Sequence, residues 1–137
     1  MPTLALLLDV LVRTERVLGS LAFKLTEVCL LSAAGRASMA LRAADEVDAL
    51  HDQLGALEIE REVRTADLAA TLGLSGPVSG AQLVEHLPQA FRPPLQLQLS
   101  ALRACSEEVD RLTAQARAHA STGHTTLTDA LTQMGAV

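Results

Sequence analysis

Apolar residues recur every seven positions through the first 30 residues of this chain. One series comprises Leu4, Leu11, Leu18 and Leu25, and the other comprises Leu7, Thr14, Leu21 and Val28. A seven-residue repeat holds a narrow apolar seam on one side of a helix, which is the pattern of helices that pack as coiled coils. The pattern predicts a long first helix, from about residue 3 to 33, that packs along most of its length.

The composition favours helices in the rest of the chain as well. Leu and Ala supply 49 of the 137 residues, whereas Phe23 and Phe91 are the only aromatic residues. Unbranched aliphatic residues favour helices, while sheets are enriched in β-branched and aromatic residues. The length suits a single domain. We therefore expect an all-α protein.

Glycine and capping residues mark the ends of the predicted helices. Gly35 can close the first helix, and Ser38 can cap the second. Gly73 can end the second helix, and Ser79 with Gln82 forms a capping box for a short third one. We expect helices at about 3–33, 38–73, 79–87 and 94–120 in a domain over residues 1–122, followed by a flexible amphipathic tail over 123–137.

The predicted fold is a long antiparallel helical hairpin with coiled-coil-like packing. A short third helix, a long C-terminal helix and a weakly ordered tail complete it. A hairpin of two helices leaves part of its leucine seam uncovered, so either the C-terminal helix or a second copy of the chain must cover the rest. The sequence leaves a homodimer open.

The tail carries an apolar face of its own. We expect the chain to break at Ser121–His124, after which Leu127, Leu131 and Met134 share one helical face with Asp129 as the only charged residue nearby. Such a segment is too short to be a stable helix alone. It either folds back on the bundle or docks a partner as a helix in a groove.

The second helix has two irregular features. Its apolar pattern moves to Ile59, Val63, Ala66 and Ala70, which we interpret as a stutter in the repeat or as the point where the partner helix ends. In addition, residues 45–52 contain four carboxylates and no basic residue. They form either a solvated face or a docking patch for a basic partner.

The charge balance and the motifs argue against several classes of function. Eleven basic and 16 acidic residues give a net charge of −5, which disfavours a surface that neutralises nucleic-acid phosphates. We find no catalytic constellation or phosphate loop, and therefore expect neither an enzyme nor a cofactor. Asp48 and His51 are the nearest approach to a metal-binding pair, but the motif occurs once and fits a solvated helix face better.

The cysteines and the N-terminal segment suggest a cytoplasmic protein. Cys29 and Cys105 are too few for a disulfide framework and fit free thiols in a reducing compartment. The apolar run Thr3–Leu8 follows no basic residue and is far shorter than the roughly 20 residues that span a bilayer. We therefore expect no signal peptide and no membrane span.

Several segments, in this order, resemble the FlgN-like family of flagellar type III export chaperones. They are the break Ala34-Gly35-Arg36-Ala37, the acidic start Asp45-Glu46, the run Leu57-Glu-Ile-Glu-Arg61, Leu72-Gly-Leu74, Ser79-Gly-Ala-Gln-Leu-Val84 and the helix from Leu102 to Leu112. The likeness covers nearly the whole chain. One departure is that many family members carry paired Asn near the position of Leu112 to Ala116, whereas this chain contains no Asn.

The resemblance implies a cytoplasmic chaperone that binds hook–filament junction (hook-associated) proteins before type III secretion and prevents their premature assembly. Export-gate or ATPase components would be further partners. In this family the C-terminal part binds the client, which places the client surface at Val109, Leu112, Ala116, Leu127, Leu131 and Met134. The alternative is a structural or secreted helical-hairpin protein that acts through coiled-coil contacts.

Overall fold

A computed structural model describes the backbone of residues 1–135 and the side chains of these residues except 122–127. The described chain is all-α and contains no strand. Its elements are α1 (Pro2–Ala33), α2 (Ala37–Thr71), α3 (Gly80–His86), a 3₁₀ turn (Gln89–Phe91) and α4 (Arg92–Gln133). This confirms the predicted fold class, a long helical hairpin followed by a short third helix and a long C-terminal helix.

Helix α1 lies between α2 and α4. Arg13 pairs with Glu60 in the first half of α1, and Lys24 pairs with Glu46 in its second half, so α2 runs antiparallel to α1. Gln98 donates a hydrogen bond to Glu15 at 2.7 Å. Because α4 starts beside the first half of α1 and later packs along its last turns, the two helices run parallel. The backbones of α2 and α4 scarcely approach each other, so α1 is the central element of an open three-helix arrangement.

The core consists of two apolar clusters, one toward each end of α1. The first joins all three long helices and α3 through Leu4, Leu7, Val10, Leu11, Leu68, Ala69, Leu83, Leu87 and Leu95. The second joins the three long helices through Leu18, Leu21, Leu25, Val47, Val109 and Leu112. Each fully buried leucine stabilises the fold by about 1.5–3 kcal/mol through its removal from water. The leucine seam of α1 is therefore covered within one chain over these positions.

Thr14 is the polar exception in the heptad pattern, and its burial needs a partner for its hydroxyl. Its side chain is 4% exposed. The hydroxyl donates a hydrogen bond to the carbonyl oxygen of Val10 at 2.8 Å. Because this bond satisfies the donor inside the same helix, the threonine packs in the seam without leaving an unpaired polar group.

The predicted turns form where glycine allows them. Gly35 and Gly73 have φ of 73° and 74°, a left-handed conformation that a side chain disfavours. Ser79 and Gln82 form the predicted capping box, with bonds of 2.8 and 3.2 Å. Ser38 does not cap α2 as predicted, because α2 already begins at Ala37 with Arg36 at its N-cap.

The break predicted at residues 121–124 is wrong, because the backbone of α4 continues as a helix to Gln133. The segment contains one glycine and no proline. A single glycine costs about 1 kcal/mol relative to alanine, whereas extending an existing helix needs no new nucleus. Residues 123–133 of the predicted tail are therefore the last part of α4 and do not fold back on the bundle.

The predicted stutter in α2 is also wrong. Ile59 and Val63 are 67% and 53% exposed, so these two residues lie on the outward side of α2, whereas Leu68 and Ala69 further along are buried in the first core cluster. The inward positions are taken by Arg61 and Arg64, which are half-buried. Their guanidinium groups pair with Glu58 and Asp67 of the same helix, at 2.8 and 3.8 Å.

Candidate partner-binding surfaces

Helix α4 projects beyond the other two long helices. Ala33, at the end of α1, and His119 line the same groove, so the last turn of α1 lies level with His119. From there α4 continues over residues 120–133, a further length of roughly 20 Å. We call these 14 residues, together with Met134 at the C-cap of α4, the overhang. Among the residues that the structure describes, none after His119 belongs to either core cluster.

The structure separates the six predicted client-binding residues into two groups. Val109 and Leu112 are 6% and 5% exposed and belong to the second core cluster, against which Ala116 also packs. Leu131 is half-buried and Met134 is 78% exposed, and both lie on the overhang. The side chain of Leu127 lies outside the described residues. A partner therefore has access to Leu131 and Met134, whereas Val109 and Leu112 already contact α1 and α2.

The overhang extends the apolar side by which α4 packs on α1. Leu112, Ala116 and Ala120 are four residues apart, and Leu131 and Met134 recur with helical spacing on the same side. The only formally charged residue of the overhang is Asp129. Arg117 lies about three helical turns before Asp129. Neither of these two forms an ion pair in the part of the chain that the structure describes. The side of the overhang that carries Leu131 and Met134 is therefore apolar and close to neutral.

The hairpin end of the molecule adds further exposed apolar side chains beside the base of the overhang. Leu30 is 66% exposed, and Met39 is 50% exposed at the start of α2. Between α1 and α4, a groove of about 430 Å³ is lined by Leu30, Cys29 and His119, among others. Burial raises the pKa of the Cys29 thiol, so it is neutral at pH 7 and contributes apolar surface to the groove.

A second groove, of about 560 Å³, lies between α1 and α2. Phe23 stands at its edge and is 67% exposed. The ammonium of Lys24 lies 5.8 Å from the centre of the Phe23 ring and also pairs with Glu46 and Glu27. The hydrogen bond to Glu46 is the main cause that raises the Lys24 pKa. The heptad pattern did not predict that Phe23 lies at an exposed groove. Its position outside the heptad series was a signal that this aromatic side chain does not belong to the seam of α1.

Neither a metal-binding group nor a membrane-spanning helix is found among the described residues. No group of three or more His, Cys, Asp or Glu side chains there is placed to hold a metal ion. None of the described helices is long and apolar enough to cross a membrane.

The described residues define an all-α protein whose last helix, α4, extends past the end of α1. No family model, curated protein or solved structure matches this chain.

Proposed function

We propose that this protein is a chaperone that holds an apolar helix of a client protein against the overhang of α4. The observation that carries the proposal is the length of α4, which extends about four turns past the end of α1 with an apolar side that faces no other described element. An uncovered apolar helix face favours a partner helix, because pairing removes both faces from water.

The charge of the overhang constrains the client. With Asp129 as its one acidic residue and no Lys or Arg, this surface offers little electrostatic selection. Recognition rests on burial of Leu131 and Met134 and on the fit of the client helix. Methionine adapts its shape to different partners and is common on such surfaces. A client helix with a continuous apolar stripe and few charges on that side fits best.

The finer part of the proposal rests on the resemblance to the FlgN-like family. We propose that the clients are hook–filament junction proteins, which the chaperone binds in the cytoplasm before type III export. Their covered apolar segments then cannot assemble prematurely. The chaperone acts by binding alone and consumes neither nucleotide nor metal.

Co-purification with hook–filament junction proteins tests this proposal. The intact chain is compared with a chain that ends at Thr122, which lacks nearly all of the overhang but keeps every residue of both core clusters. We expect the intact chain to retain a junction protein and the shortened chain to lose it. Equal retention by both chains contradicts the overhang as the client surface, and no retention by either contradicts the choice of client.

A further inference from the structure

Helix α2 carries a second stripe of heptad-like spacing on its outward side. The stripe consists of eight exposed residues in two halves. Within each half the residues follow at spacings of four, three and four, and the first residue of the second half comes seven positions after the last residue of the first half. The buried residues of α2 lie on the opposite side. We call these eight residues the outer stripe: Leu41, Asp45, Asp48, Asp52, Ile59, Val63, Ala66 and Ala70.

The C-terminal half of the outer stripe is apolar, although packing within this chain does not bury it. Ile59 and Val63 are 67% and 53% exposed and lie one turn apart, followed by Ala66 and Ala70. β-Branched residues lower helix propensity slightly, so on an exposed helix face they do not help the free chain. Neither core cluster of the described chain includes them, although Ala66 lines a groove with Pro77 and Val78.

The N-terminal half of the outer stripe is acidic and unneutralised. Asp45, Asp48 and Asp52 form no ion pair with any described residue. Helix α2 contains eight acidic and three basic residues, a net charge of −5 that equals that of the whole chain. Two of the three bases, Arg61 and Arg64, already pair with carboxylates of α2.

Gly55 lies between the two halves of the outer stripe. A glycine inside a helix costs about 0.5–1 kcal/mol relative to alanine. An added Cβ at Gly55 would meet no atom of this chain within 4 Å, and its φ is not positive. Neither internal packing nor backbone conformation therefore requires glycine, whereas close approach of another helix would use the missing side chain.

We propose that the outer stripe is a docking surface for one basic amphipathic helix of a partner protein. Apolar residues of that helix cover Ile59 and Val63, and its Lys or Arg residues pair with Asp45, Asp48 and Asp52. Charge complementarity selects this occupant. A second copy of the chain is a poor fit, because its own stripe supplies carboxylates and no base.

This surface is separate from the overhang, since it lies on α2 and faces away from α1. The proposal therefore does not rest on the client-binding function. A client on α4 and a basic helix on α2 can be bound at the same time, which suits a protein that connects a client to a second component. A negative binding result for one surface therefore leaves the proposal for the other unchanged.

The test uses the full chain and a labelled synthetic amphipathic helix of about 30 residues, roughly 45 Å long, to match the outer stripe. Half of its contact face carries Leu and the other half carries Lys. A second peptide carries Glu in place of Lys. We expect the Lys peptide to bind and the Glu peptide to bind at least about tenfold more weakly, with the difference shrinking as salt is added.

Two sets of variants locate the binding. The triple variant Asp45→Asn, Asp48→Asn, Asp52→Asn removes three charges from the outer stripe, while Glu107→Gln, Glu108→Gln, Asp110→Asn removes three exposed charges from α4. We expect the first to weaken the Lys peptide about tenfold or more and the second to change it less than about twofold. Equal effects of the two triple variants, or no binding of the Lys peptide to the parent chain, overturn the proposal.

The apolar half is tested in the same way. The pair Ile59→Ala and Val63→Ala truncates two exposed side chains and keeps helix propensity, so these variants fold. Leu97→Ala is the matched control, since Leu97 is 72% exposed on α4. We expect about a tenfold loss of Lys-peptide binding for the pair and no change for the control. If the Lys peptide binds the Ile59→Ala, Val63→Ala variant as tightly as the parent chain, the peptide does not contact these residues, and the assignment of the outer stripe as its docking surface is overturned.

Discussion

The guanidinium of Arg13 donates two hydrogen bonds to the carboxylate of Glu60, at 2.6 and 3.0 Å, and so joins α1 to α2 across 47 positions of the chain. A third bond, of 3.0 Å, reaches Asp9 one turn earlier in α1. A bidentate pair fixes relative position better than a single contact does. This arrangement sets the register of the hairpin at the level where α2 has no fully buried residue.

The variant Glu60→Gln tests the contribution of this pair through its pH dependence. The hydrogen bonds from Arg13 hold the pKa of Glu60 below its ordinary value of 4.5. The folded state therefore favours the carboxylate, and the stabilisation is complete above that value and lost as pH falls through the lowered pKa. We expect the parent to be more stable than the variant at pH 7 and the difference to vanish in acid.

Urea denaturation followed by far-ultraviolet circular dichroism measures this difference, since the chain has no Trp or Tyr. Glu107→Gln is the control, because Glu107 is exposed and forms no ion pair among the described residues. A constant difference between Glu60→Gln and the parent across the acid range would show that charge is not its cause.

Four of the eight glycines form two pairs with opposite expected responses to alanine. Gly19 and Gly55 lie inside helices, and an added Cβ meets nothing within 4 Å. We expect Gly19→Ala and Gly55→Ala each to stabilise the chain by about 0.5–1 kcal/mol. Gly35 and Gly73 have positive φ, so Gly35→Ala and Gly73→Ala should destabilise it by about 1 kcal/mol. Thermal denaturation of the four variants checks the signs.

The helices were predictable because their signals are local. The heptad seam of α1, the capping box at Ser79 and the turn at Gly73 all depend on residues within a few positions of one another. The length of α4 was not predictable, because the effect of one glycine depends on whether a helix has already formed before it. The outward direction of Ile59 was also missed. A strict continuation of the repeat in α2 puts Arg61 and Arg64 at the inward positions, but spacing does not show that both pair there with carboxylates of the same helix.

The predicted client site shows the same division. The family resemblance placed Val109, Leu112 and Met134 in one client surface. It could not show where α1 ends, and the end of α1 decides which of them is covered. Leu112 packs in the core because α1 still lies beside it, whereas Met134 lies past the last turn of α1.

Core packing at the centre of α1 predicts a large loss from one truncation. Leu21 is fully buried in the second cluster. We expect Leu21→Ala to lower the free energy of unfolding by about 2–5 kcal/mol, through lost burial and the cavity left behind. Leu97→Ala, at an exposed position, should change it by less than about 0.5 kcal/mol. Similar losses in both variants would contradict the assignment of Leu21 to the core.

The overhang should be the least protected part of α4. Residues 128–133 lack contacts with either core cluster, whereas Leu95 and Val109 are held by α1. We expect amide hydrogens after residue 120 to exchange much faster than those near Val109. Hydrogen exchange with peptide-level mass spectrometry measures this. Equal protection along α4 would show that the overhang is covered in solution, for example by a second copy.

The affinity of a junction-protein client for overhang variants tests the central claim most directly. The double variant Leu131→Gln, Met134→Gln changes two side chains of the overhang, and Leu97→Gln changes an exposed leucine elsewhere on α4. Isothermal titration calorimetry gives the dissociation constants. The account predicts at least about a tenfold weaker complex for the double variant and an unchanged one for Leu97→Gln. Unchanged affinity in the double variant would contradict it.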